Sequence, residues 1–167
     1  MSIFEAMAMS REQYLAQLPR KVAAAGAFVT DSEGRVLLVK PTYKQDWEVP
    51  GGCVEAGESA RDACVRELLE ELGLEIGIGT LLVVEHQTAP DDKGDSIMFV
   101  YDGGVVAETD SLSLELSGEE LSAARFVPID EIGGFLPERQ ARRLAAAADA
   151  RSQNRVIEMV NGHRSQP

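Results

Sequence analysis

Apolar and polar positions change rhythm several times along the chain, and each change marks an element. SREQYLAQL (10–18) has the spacing of a short amphipathic helix, capped by Ser10 and ended by Pro19. Two strand-like runs follow, VAAAGAFVTD and RVLLVK, joined by the turn signal Asp31-Ser32-Glu33-Gly34, which predicts a hairpin starting near Val22. After the loop PTYKQD come Trp47-Glu48-Val49, then Pro50-Gly51-Gly52, whose glycines permit close backbone approach, and Cys53-Val54-Glu55. SARDACVRELLEELGL switches to a helical period. Ser59 with Asp62 approximates a capping box, and Gly73 is a C-terminal stop. LEIGIGTLLVVEHQTA and SIMFVYDGGVV read as β-rich segments around the polar loop APDDKGD, with a last strand near ARFVPI. PERQARRLAAAADAR, begun by Pro137, predicts a terminal helix that closes the chain. Strands, helix, strands and helix together describe an α+β layered domain.

The central helix carries the chemistry. At 100° per residue, Glu67, Glu70 and Glu71 fall within a single ~100° arc, and Val65, Leu68 and Leu72 lie on the roughly opposite arc expected to face a core. Like charges at these spacings cost a few tenths of a kcal/mol each, and acid in the last turns opposes the helix dipole. A hard divalent cation would relieve both penalties. Reading outward, Gly52 is followed after five residues by Glu58, after seven more by Arg66-Glu67-Leu68, then by Glu70-Glu71 and Gly73-Leu74. At ordinary residue frequencies, a chance match to this frame in a chain of such length is below about one in a million.

From Gly52 to Leu74 the chain resembles the Nudix hydrolases, whose defining box this is. The resemblance implies the Nudix fold, a mixed β-sheet sandwiched between α-helices. It places the core at about residues 21–152 of a single domain spanning 1–167, with 1–20 as an N-terminal helical extension. It implies Glu67, Glu70 and Glu71 as catalytic metal ligands, joined by the carbonyl oxygen of Gly51, with Mg²⁺ as cofactor and Mn²⁺ able to substitute. The implied reaction is hydrolysis of the diphosphate linkage of a nucleoside diphosphate joined to another moiety. Such ions neutralise phosphate charge and acidify an attacking water. Arg66 and Gly52 take supporting roles, and Glu58 is either a support or an outer ligand. A further acid, base or extra ligand, is expected from ELSGEELSAARFV, with Glu120 first, then Glu119 and Glu115.

Composition narrows the partners. With 44% apolar and 26% charged residues in 167, the chain is ordinary globular material. A net charge of −12 excludes a broad basic surface for nucleic-acid polymers but leaves small nucleotides bridged by cations. No apolar run reaches a membrane span and the start lacks a signal-peptide pattern, so the expectation is a cytoplasmic protein without a membrane partner; a homodimer is compatible with it. Cys53 and Cys64 are expected as small core-filling residues, and Tyr43 and Trp47 as packing residues ahead of a base-stacking clamp. Lys40, Lys44, Lys93 and Arg125 are cations that could meet phosphate, with none singled out; His86 and His163 stay outside the mechanism.

Two alternatives stand beside the hydrolase. A Nudix-fold binding or regulatory domain without turnover typically loses box glutamates and gains a DNA-binding appendage, and this chain shows neither. An isoprenoid-diphosphate isomerase-like enzyme needs a catalytic cysteine and acid that Cys53 or Cys64 alone does not establish. Pro90 lies sixteen positions beyond Leu74, a spacing associated in the family with ADP-ribose-type substrates.

Overall fold

A computed structural model describes residues 10–88, 94–107, 114, 116 and 118–165. The elements in chain order are α1 (Arg11–Gln17), β1 (Val22–Thr30), β2 (Val36–Pro41), β3 (Gly51–Cys53), α2 (Ala60–Leu72), β4 (Leu81–Gln87), β5 (Ser96–Val105), β6 (Leu121–Val127), a 3₁₀ turn (Ile132–Gly134), α3 (Glu138–Ser152), β7 (Ile157–Val160) and β8 (His163–Arg164). Eight strands form one sheet in the order β6-β2-β1-β5-β4-β7-β8, with β3 paired to β1. The sheet is mixed: β1 runs parallel to β5 and β4 to β7, while the other pairs are antiparallel.

The sheet is buried on both faces, and the period of two decides which side chain goes where. Phe28, Val36, Leu38 and Val100 point to the face covered by α3, together with Leu144, Ala147 and Ala150 of that helix. Ala25, Ala27, Val29, Leu37, Val39 and Tyr101 point to the face covered by α2, where Cys64, Leu68 and Leu72 meet them. The expected layering is therefore present, with the two long helices on opposite faces.

β1 and β2 form the expected hairpin only at its tip, Thr30↔Val36. Asp31 organises the turn, accepting from the backbone N–H of Glu33 and of Arg35 through Oδ1 and from Arg35 Nε through Oδ2. Along its first half β1 instead takes β3 as neighbour, pairing Ala24, Ala25 and Gly26 with Cys53, Gly52 and Gly51. The contact is close enough to require glycine: Gly51 has φ +145°, and a Cβ there would lie 2.2 Å from the Ala25 carbonyl oxygen and 2.5 Å from Gly26 Cα. This pairing brings the loop before α2 down onto the sheet.

The helices follow their end signals. Ser10 and Gln13 form a reciprocal capping box on α1, of which no residue is buried. Ser59 Oγ accepts from the Asp62 N–H at the start of α2, and Gly73 ends that helix at φ 64°, donating to the carbonyls of Leu68 and Leu69. Pro137 caps α3 as expected, but α3 does not close the chain: β7 and β8 follow and extend the sheet to Arg164. Asn161 (φ 50°) and Gly162 (φ 82°) make the turn between them. Cys64 is fully buried and its thiol is pushed up to about 12 by burial, whereas Cys53 is exposed, contrary to a core role. Among the described residues, no helix is long and apolar enough to cross a membrane.

Candidate metal and substrate cleft

The acidic helix does not divide into a packing side and an acidic side. Ala63, Cys64, Leu68 and Leu72 are buried, and Glu71 is buried within the same arc at 6% exposure, while Val65, expected in the core, is 42% exposed. Glu71 packs under β3, where its Oε2 accepts the backbone N–H of Gly51 at 3.0 Å. Burial is the main reason its carboxyl is raised to about 8; the Gly51 hydrogen bond opposes the shift, and the charges of Glu67, Glu48 and Glu120 add to it.

Glu67 is also raised, first by burial, with Arg66 working against the shift and Glu70 and Glu120 for it. Its carboxylate occupies the space that a side chain at position 52 would fill: a Cβ on Gly52 would lie 2.3 Å from Glu67 Oε1. Glu70 is 56% exposed, and its Oε2 accepts at 3.0 Å from Arg66 Nη1, the nitrogen that also donates to Glu67. Glu67 and Glu70 are thus bridged by one guanidinium nitrogen, while Glu71 is bonded to the β3 backbone. Among the described residues, no three carboxylate, imidazole or thiol side chains stand gathered closely enough to hold an ion as they are.

Arg66 ties this region together. Its Nε and Nη2 donate to the two oxygens of Glu58 at 2.9 and 3.1 Å, its Nη1 to Glu67 at 2.9 Å and to Glu70, and its Nη2 also to the Cys53 carbonyl at 3.1 Å. Glu58 additionally accepts the Glu55 N–H, and its carboxyl is lowered, chiefly by the Arg66 hydrogen bonds. Glu58 is thereby engaged as the anchor of Arg66.

Glu67 and Glu71 face a cleft of about 400 Å³, whose opposite wall is the turn carrying Glu119 and Glu120. That turn is fixed to the loop before β3, since the Thr42 N–H donates to the Glu120 carbonyl at 2.8 Å and the Thr42 hydroxyl to the Glu119 carbonyl at 2.9 Å. Glu115, Pro90 and Lys93 lie outside the described residues. A second cavity of about 240 Å³ adjoins the first, sharing Tyr43 and Gly51–Cys53 as walls and reaching across the sheet edge to Gln140 and Arg143 of α3.

Spacing alone does not bring out the residues of this second cavity. Tyr43 is 75% exposed and stands where the cavities meet, so it is not a packing residue; Trp47 does pack, edge-on to Phe135 at 5.7 Å. Glu48 lines the second cavity in an ion pair with Lys44. Lys40 is used by the Gln45 carbonyl, and Arg125 lies over the Phe135 ring at 5.5 Å. His86 contacts Glu158 and His163 contacts Arg142, both away from the cleft.

A magnesium ion would fit the donors of this cleft. All are hard oxygens, and magnesium needs only one or two carboxylates when waters and substrate phosphates complete its octahedron. Glu71 supplies the structural observation: a buried carboxylate raised further by the charges of Glu67, Glu48 and Glu120, bonded among the described residues to a backbone N–H rather than to a cation.

The chain is 41% identical to the CTP pyrophosphohydrolase of Escherichia coli (strain K12) over 71 residues, 40% of this chain and 52% of that protein. It is 26% identical to a MutT-like protein of Streptomyces ambofaciens over 141 residues, 84% of this chain and 86% of that one. The chain therefore spans about half the length of the first relative and most of the second. In fold it matches the crystal structure of the MutT protein from Methanosarcina mazei Go1 with a TM-score of 0.65 at 23% identity, over 81% of this chain and 96% of that one. The NUDIX domain model matches residues 20–149, and the chain belongs to the Nudix family.

Proposed function

We propose that this chain is a Mg²⁺-dependent pyrophosphohydrolase that cleaves the diphosphate linkage of a nucleoside diphosphate joined to another group, either ADP-ribose-like or a nucleoside triphosphate. The observation that carries this reading is Glu71, a carboxylate sunk beneath Gly51 in a cleft that Glu67 and Glu120 also line. Without a cation the arrangement is electrostatically unfavourable, and with one it becomes a phosphate site. Glu67, Glu70, Glu71 and the Gly51 carbonyl are the proposed ligands, and Glu120 the proposed added acid. When bound, the metal supplies neutralisation of phosphate charge and a more acidic water.

The chain's own residues do the rest. Arg66 holds Glu67 and Glu70 in place from behind, anchored in turn on Glu58. β3 presents the Gly51–Cys53 backbone to the cleft, and the Glu119–Glu120 turn closes the far wall. The partner is a small nucleotide, and the sequence's net charge of −12 favours one that arrives with its cations. The binding-only alternative leaves this intact set of carboxylates without a purpose.

The test is turnover of a panel of nucleoside triphosphates, nucleotide sugars, dinucleoside polyphosphates and ADP-ribose with Mg²⁺, then Mn²⁺. At least one compound is cleaved. Glu70→Gln and Glu71→Gln each lower turnover at least about a hundredfold with the fold intact by circular dichroism, because charge stabilisation held by these carboxylates is the main catalytic contribution. Absence of cleavage with both metals removes the enzyme reading, and full activity in both variants moves the site elsewhere.

A further inference from the structure

The second cavity contains a cation that the hydrolytic chemistry does not use. Arg143 of α3 is 6% exposed, yet it lines the cavity that opens onto Gly51–Cys53. Its Nε donates to Glu85 of β4, a fully buried carboxylate, so the charge is balanced where it lies. Among the described residues Glu85 is its hydrogen-bond acceptor, through Nε, and the N–H groups at the guanidinium tip have no acceptor there. Arg143 is one of the residues lining the cavity, so its side chain borders the open space there. A buried planar fork of donors, already neutralised by Glu85, suits a neutral pair of acceptors better than another phosphate.

The remaining walls fit that guest. Ala24, Val49 and Met98 offer an apolar bed, and Gln140 adds an amide one helical turn before Arg143. A cavity of about 240 Å³ is sized for a single ring system, and the adjoining cleft takes the phosphates. The fork is held from behind by an element distant in sequence: the N–H of Gly162, in the β7–β8 turn, donates to the other oxygen of Glu85 at 2.6 Å. A Cβ at Gly162 would lie 2.9 Å from Arg139 Cγ, so the hairpin sits tightly against α3. The chain from Gly162 through Glu85 to Arg143 fixes the direction of the guanidinium.

We propose that Arg143 is a specificity-determining residue that donates to the adjacent carbonyl oxygen and ring nitrogen of the substrate's base. It would select a nucleoside triphosphate whose base carries a carbonyl beside a ring-nitrogen acceptor, as guanine and cytosine do, over adenine, which has an amino donor there. This rests on the hydrolase reading above and narrows it from ADP-ribose-like compounds toward guanine or cytosine nucleoside triphosphates.

The experiment compares kcat/KM for GTP, CTP and ATP with Mg²⁺ in the full chain, in Arg143→Lys and in Gly162→Ala. Lysine keeps a cation for Glu85 but lacks the fork, so the variant is expected to fold with a melting temperature near that of the parent. The parent favours GTP or CTP over ATP at least about tenfold, a usual return for one good bidentate contact. In Arg143→Lys that preference drops toward unity through a rise in KM for the favoured nucleotide, and Gly162→Ala shifts it in the same direction by less. Equal use of ATP by the parent overturns the proposal, as does an unchanged preference in Arg143→Lys. A fall in kcat for all three nucleotides with KM unaltered also overturns it, since that would make Arg143 a purely structural residue. Failure of the parent to cleave any nucleotide is a different result and counts against the hydrolase reading itself.

Discussion

Two neighbouring glycines show how differently a single atom can act. A methyl group at Gly52 would meet the end of the Glu67 side chain, 2.3 Å from Oε1, and a flexible carboxylate can swing away. At Gly51 it would meet backbone of β1, at φ +145°, and nothing there can yield. Gly52→Ala is therefore expected to keep its melting temperature within a few degrees while losing turnover roughly tenfold or more, as a misplaced catalytic group does. Gly51→Ala is expected to lose stability outright, by about 2 kcal/mol or more in urea unfolding. The reverse ranking would mean that β3 is not seated on β1 as described.

Glu71 gives a pH signature. Its carboxyl has a reference value of 4.5 and is raised to about 8 by burial, so between these values the metal-free native state holds a proton that the unfolded chain releases. Its contribution to stability is complete below about pH 4.5 and is lost as pH climbs toward 8. Melting temperatures measured without metal should fall across that window, and Glu71→Gln should flatten the slope. Magnesium takes the ionised form, so its binding at pH 7 should release about one proton, seen by calorimetry in buffers of different ionisation heat. Binding without proton release would show that Glu71 is not a ligand.

At the scale of elements, the box spacing made α2 and its glutamates legible, along with the caps at Ser59 and Gly73. The burial of Glu71 was not, because a helical wheel assigns a carboxylate to water and has no knowledge of β3. That strand is three residues long and consists mainly of glycine, so it carries no β-pattern of its own. Arg143 is equally silent in RQARRL; its burial depends on Glu85, 58 residues away in the chain. The β7–β8 pair has a readable cue in Asn161-Gly162, but four residues of alternation after a long helix are a weak strand signal. The pair nonetheless belongs to the core, since Met159 is 1% exposed and Ile157 6%. Met159→Ala should cost about 2–5 kcal/mol in urea unfolding, the usual range for emptying such a site. A cost under about 0.5 kcal/mol would show the hairpin to be a loosely attached edge.

Across the whole molecule, the sheet separates two groups of residues, one for each proposed task. α2 lies on one face with the carboxylates, α3 on the other with Gln140 and Arg143, and among the described residues the two cavities share Tyr43 and Gly51–Cys53. Each face has its own apolar cluster, so a change packed into one is felt weakly by the other. With the roles proposed above, such a layout makes the protein separable for redesign: a library confined to the α3 side is expected to alter which nucleotide is accepted and to leave the bond-breaking apparatus as inherited.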